Sequence, residues 1–72
     1  MNVATQEFGT KIRALRTHRG LTQRELAELI GRYQADVSDM ERGRLMPTVQ
    51  TLKKLARALG IKPQALLSEL LI

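Results

Sequence analysis

The 72-residue sequence predicts an all-α fold, a compact domain of five short helices. Three observations lead there. Apolar residues recur at i, i+3 and i+4, the spacing that lines one side of a helix. Gly20, Gly31, Gly43 and Gly60 each follow such a pattern, where a helix commonly stops in left-handed backbone. β-branched residues are scattered and no alternating apolar–polar run occurs, so strands are not expected.

The first helix is expected from about Thr5 to Arg19, with Phe8, Ile12 and Leu15 on one face and Gly9 weakening it slightly. The second begins after Thr22. Thr22 and Glu25 have capping-box spacing, and Leu21 and Leu26 stand at the positions of a hydrophobic staple. Leu26, Leu29 and Ile30, with Ala27 beside them, predict one apolar face, and Gly31 supplies the stop. The third helix, roughly Tyr33 to Arg42, has only Val37 and Met40 as inward anchors; Ala35, Ser38, Asp39 and Arg42 lie opposite. Thr48 caps a fourth helix that buries Leu52, Leu55, Ala56 and Leu59. Pro63 suits the first turn of a fifth, which carries Leu66, Leu67, Leu70 and Leu71. The expected core is Phe8, Ile12, Leu15, Leu21, Leu26, Ala27, Ile30, Val37, Met40, Leu52, Leu55, Ala56, Leu59, Ile61, Leu66 and Leu67. Residues 1–72 read as a single domain, with two helices and a tight turn at about 22–42.

Composition narrows the function classes. The chain lacks cysteine, which excludes disulfides and thiolate metal sites. A lone His18 cannot build a metal site and reads as a surface residue near the end of the first helix. No cofactor is expected, and no catalytic constellation or glycine-rich phosphate loop is present, so an enzyme is not expected. Nothing resembles a signal peptide, and no apolar run is long enough for a bilayer. A cytoplasmic protein without membrane association is the expectation.

The net charge is +5, which suits a polyanionic partner. Its distribution is uneven. Residues 1–20 sum to +3, from Lys11, Arg13, Arg16 and Arg19 against Glu7. Residues 21–43 sum to −2, from Arg24, Arg32 and Arg42 against Glu25, Glu28, Asp36, Asp39 and Glu41. Residues 44–72 sum to +4, from Arg44, Lys53, Lys54, Arg57 and Lys62 against Glu69. Lys53, Lys54 and Arg57 read as the solvated face of the fourth helix. A short helix held by one apolar edge on a basic domain fits a reader of the DNA major groove, although its own segment is the acidic part of the chain.

The sequence resembles the Xre/Cro family of phage-repressor-like helix-turn-helix domains. The matching pieces are LTQ-x-ELA at 21–27, Gly31, Gln34-Ala35, Val37-Ser38, Glu41-Arg42-Gly43, Pro47-Thr48, TLKKLARALGI at 51–61 and Leu66-Leu67. They run from about Phe8 to Leu67, almost the whole chain. The resemblance implies a lambda-repressor-like fold and a sequence-specific transcription regulator, a repressor, that reads DNA with helix 3.

Roles follow for individual residues. Gln34 matches a base-contacting family position, and a glutamine can pair with adenine N6 and N7. Ala35 is small enough to touch a thymine methyl, Ser38 can bond a base or phosphate, and Asp39 can accept from cytosine N4. Asp36, near the helix start, suits the helix dipole. Tyr33 stands where the family often has a Ser or Thr cap; its ring packs on sugar or thymine, or merely covers the helix start. Gln23 matches a phosphate-holding position at the start of helix 2. Arg42, Arg44 and Thr48 match backbone-contacting regions. Arg16 and Glu41 match an interhelical ion pair.

Double-stranded DNA is thus the expected partner. Because one helix covers few base pairs, a homodimer on a two-fold symmetric operator is expected in the nucleoid, with Leu70, Leu71 and Ile72 as dimer-interface candidates. Two alternatives remain open on the same fold: an antitoxin that binds a toxin and autoregulates its operon, and a protein-interaction module.

Overall fold

The computed structural model describes residues 3–68, and among them the chain is all-helical. The elements are α1 (Val3–His18), α2 (Gln23–Ile30), α3 (Gln34–Glu41), α4 (Val49–Leu59) and α5 (Pro63–Leu67). The three core-forming junctions are α2 with α3, α1 with α3, and α2 with α4, and α5 packs on α4. The helix-turn-helix therefore leans on α1 through one member and on α4 through the other.

Local chemistry sets the boundaries. Thr22 Oγ1 accepts from Glu25 N at 3.0 Å, and Glu25 Oε1 accepts from Thr22 N at 2.9 Å. This reciprocal box satisfies two backbone donors at the start of α2. At its other end Gly31 takes φ 69°, and Arg32 N donates to Ala27 O at 2.9 Å. That left-handed stop lets α3 begin three residues later. Gly20, Gly43 and Gly60 end the preceding helices with the same sign of φ. Thr48 caps α4 and Pro63 opens α5, as their positions in the sequence suggest.

Twelve apolar side chains form the core: Phe8, Ile12, Leu26, Ala27, Ile30, Val37, Met40, Leu52, Leu55, Ala56, Leu59 and Leu66. All were expected from spacing. Leu15, Leu21 and Ile61 are only partly buried and pack against its margin. The side chain of Leu67 lies outside the described set, as do Leu70, Leu71 and Ile72.

Several expectations need correction. Leu29 does not join the apolar face of α2: it is 59% exposed. An eight-residue helix offers its neighbours a narrow strip, already filled by Leu26, Ala27 and Ile30. α3 is one residue shorter at each end than expected, because Tyr33 and Arg42 are its caps. α1 starts at Val3 rather than Thr5 and ends at His18 rather than Arg19. Gly9 is more than a weak spot in α1. A Cβ built on it would clash with Met40 O, stand 2.6 Å from Glu41 O and 2.9 Å from Glu41 C. Only a glycine lets α1 press its backbone onto the end of α3.

Candidate nucleic-acid interface

The outer surface of α3 follows from what its inner edge buries. Val37 and Met40 are fully enclosed. Gln34 and Ala35, in the first turn, are exposed, and Ser38 and Asp39 are half-buried on the next turn. Tyr33 precedes them at the N-cap and is 82% exposed. Arg42 and Arg44 are exposed just beyond the helix. The sequence-predicted candidates on α3 and its flanks are thus solvent-accessible.

The start of α3 is capped by an acid. Asp36 Oδ2 accepts from Tyr33 N at 3.3 Å and from Arg32 Nε at 3.1 Å. A carboxylate here complements the helix dipole, and Arg32 balances its charge. The tyrosine phenol is not the hydroxyl cap of a Ser or Thr, and Asp36 supplies the other half of a capping box by accepting from the Tyr33 backbone.

The end of α3 is fixed by a buried carboxylate. Glu41 has a side chain only 1% exposed, facing Arg16, which is 11% exposed. Arg16 Nε donates to Glu41 Oε2 at 2.6 Å and its Nη2 to Oε1 at 3.2 Å. Its Nη1 donates to Leu21 O at 2.7 Å. Gln23 Nε2 adds a bond to Glu41 Oε1 at 3.0 Å. One carboxylate therefore ties α1, the α1–α2 turn and the first residue of α2 to the last residue of α3. No buried side-chain polar atom among the described residues lacks a partner. A buried pair of this kind is costly to break because either survivor is left charged in a poorly solvated place.

Two expected phosphate ligands are engaged internally. The Gln23 amide nitrogen points to Glu41, so contact by this residue falls to its remaining amide hydrogen and the α2 backbone. Thr48 Oγ1 accepts from Thr51 N at 3.2 Å and donates to Thr51 Oγ1 at 3.1 Å. Its oxygen holds the α4 cap, and a bond from its proton to phosphate would replace the bond to Thr51 Oγ1 while leaving that cap in place.

The charge of the helix-turn-helix also changes meaning once its partners are seen. Glu41 is held by Arg16, Asp36 by Arg32, and Glu28 stands 3.7 Å from Arg24. The carboxyl of Glu25 is held below its ordinary value of 4.5, first by its bond from the Thr22 backbone and then by that from the Thr22 side chain. Among the described residues, Asp39 is the α3 carboxylate without an ion-pair partner. Spacing alone could not have shown the Arg16–Glu41 pairing, since the two are 25 positions apart, whereas Arg24–Glu28 and Arg32–Asp36 stand at i, i+4.

A groove of about 620 Å³ lies elsewhere, between α2 and α4, and its lining, which includes Glu28, holds none of the candidate DNA-contacting residues. Among the described residues no cluster of His, Asp or Glu could hold a metal ion, and no helix is long and apolar enough to cross a membrane.

Comparison with known proteins agrees with this arrangement. The profile of the Helix-turn-helix domain family matches residues 7–70. The immunity repressor protein of Bacillus phage phi105 is 41% identical over 61 residues, covering 85% of this chain and 42% of the repressor. The chain thus spans under half the length of that relative. The restriction–modification controller protein C.AhdI from Aeromonas hydrophila superposes with a TM-score of 0.81 at 40% identity, over 86% of this chain and 90% of that one. PlcR from Bacillus thuringiensis, solved with the peptide PapR7 and DNA, gives a TM-score of 0.85 at 33% identity, over 93% of this chain and 24% of PlcR. Family match and fold agree: the chain belongs to the Helix-turn-helix domain family.

Proposed function

We propose that this chain is a sequence-specific transcriptional repressor that lays α3 in the major groove of a two-fold symmetric operator. The observation that carries this is the burial of Val37 and Met40 beneath an accessible row of Gln34, Ala35, Ser38 and Asp39. Gln34 pairs with adenine, Ala35 meets a thymine methyl, Ser38 bonds a base or phosphate, and Asp39 accepts from cytosine N4. Tyr33 packs on the sugar or thymine beside the helix start. Arg42 and Arg44 grip phosphates on one side and Gln23 on the other, fixing register without reading sequence.

Two copies are needed. The domain measures 28 Å in its longest direction, whereas half-sites one turn apart lie about 34–36 Å from centre to centre. The C-terminal Leu70, Leu71 and Ile72, outside the described residues, supply apolar surface for that pairing. The pair acts on chromosomal DNA in the cytoplasm.

The test is selection of bound DNA from a random pool at stated salt, followed by sequencing. Enriched sites with two-fold symmetry are expected. Enrichment of asymmetric single sites would refute the dimer. No enrichment even at low salt would refute DNA reading and favour a protein partner, such as a toxin, on the same surface.

A further inference from the structure

We infer that Arg13, on α1, is a further DNA-backbone contact, positioned at the start of α2 by the buried Glu41; this rests on the DNA-binding role above. The geometry assigns two arginines to one carboxylate. Arg16 and Gln23 already fill it, with bonds of 2.6 and 3.2 Å from the first and 3.0 Å from the second. Arg13 Nε comes only to 3.6 Å from Glu41 Oε1, and its side chain is 66% exposed. The contact is too long for a hydrogen bond. Arg13 is therefore tethered by charge while its N–H donors stay available.

The tether also sets the place. Glu41 Oε1 is approached by both Gln23 and Arg13, so the Arg13 guanidinium lies beside the first residue of α2. Two arginines against one glutamate leave a surplus positive charge there. A phosphate oxygen reaching this corner meets a planar fork of donors whose orientation is already restricted, which lowers the entropy cost of each bond. The same carboxylate ends α3. A backbone contact through Arg13 is thus rigidly registered to the base-facing helix.

The experiment measures binding to a selected site and to an unrelated duplex over a range of salt. It compares wild type with Arg13→Gln, Arg13→Lys and the control Arg24→Gln. Arg24 is 79% exposed and paired at 3.7 Å with Glu28, so it reports the effect of net charge alone. With a slope of about 0.9 per phosphate contact, losing one contact weakens binding about five-fold at about 0.15 M salt, and losing one from each protomer of a bound dimer about thirty-fold, with hardly any loss near 1 M. Arg13→Gln should do this on both duplexes, with the salt slope reduced by about one per protomer. Arg13→Lys should keep the slope, and the melting temperature of Arg13→Gln should stay that of wild type, because Arg16 and Gln23 still hold Glu41.

Equal losses in Arg13→Gln and Arg24→Gln would overturn the inference, leaving only a net-charge effect. So would a lower melting temperature with wild-type salt slope, which would make Arg13 structural. If wild type binds no duplex, the DNA-binding role falls as well. If Arg44→Ala lowers affinity on all sequences while Arg13→Gln does not, only the role of Arg13 falls.

Discussion

Glu41 offers the sharpest test of how this small domain is held. Glu41→Ala removes an acceptor used at 2.6, 3.0 and 3.2 Å by Arg16 and Gln23. It leaves Arg16, 11% exposed, with one remaining partner, Leu21 O. Breaking a buried pair from one side costs about 3–5 kcal/mol. A chain of 72 residues has about 4–11 kcal/mol in total at typical values per residue. The substitution should therefore remove a quarter or more of its stability, and Arg16→Ala should cost a similar amount. The double replacement Arg16→Ala, Glu41→Ala removes both charges together, so it should lose less than the two single losses added together. Urea unfolding followed by circular dichroism at 222 nm gives all the values. A coupling energy of at least about 1 kcal/mol is expected for residues in one network, against about 0.5 kcal/mol or less for independent sites. Additive losses would refute the claim that this pair joins α1 to α3.

The remaining predictions concern packing, recognition and acid. Gly9→Ala forces a methyl against the Met40 and Glu41 carbonyls and should cost about 1–3 kcal/mol in the same unfolding assay; an unchanged midpoint would mean that α1 and α3 do not touch there. Leu55→Ala, in the core, should cost about 2–5 kcal/mol, whereas Leu29→Ala, at an exposed site, should stay within about 1 kcal/mol; equal losses would misplace the core boundary. Gln34→Ala should lower affinity for the selected site by about 1–3 kcal/mol and relax preference at one base pair, and a titration with equal affinities would reject that contact. Because the folded-state value of Glu25 is depressed, its contribution is full above about 4.5 and is lost as pH falls through the folded value. Glu25→Gln should accordingly flatten the acid limb of the stability–pH curve, and an unchanged limb would discount the cap.

Most of the fold was legible because it is written in local patterns. The cap at Thr22, the stop at Gly31 and the apolar edges of α2 and α4 are each set by residues within a few positions of one another. What spacing missed lies in contacts between helices. Gly9 looks like a poor helix residue until the carbonyls of Met40 and Glu41 are seen against it. Leu29 fits the helical period of α2, yet no neighbour reaches far enough round that helix to cover it. In the sequence Arg13 enters only the charge balance of residues 1–20, because its relation to Glu41 spans α1 and α3. Thr48 was legible as a cap, but the hydrogen bond that commits its proton to Thr51 was not.

The acidic balance of residues 21–43 seemed to oppose DNA binding, and the pairings remove most of that objection. Coulomb repulsion from phosphates depends on local charge, since exposed charges are screened within about 8–10 Å at ordinary salt. Glu41 is buried against Arg16, and Asp36, in the first turn of α3, is balanced by Arg32 just ahead of that helix. A duplex approaching α3 therefore meets Asp39 as the principal unbalanced carboxylate, with Arg42 and Arg44 exposed beyond it. A single acid in that position weakens binding to every sequence through repulsion, but regains the loss only where a cytosine amino group can donate to it. The arrangement trades general affinity for discrimination. On the proposed mode of binding, basic residues at the margins supply the backbone grip, so the positions of Arg13, Arg42 and Arg44 would matter more than the overall charge of the chain.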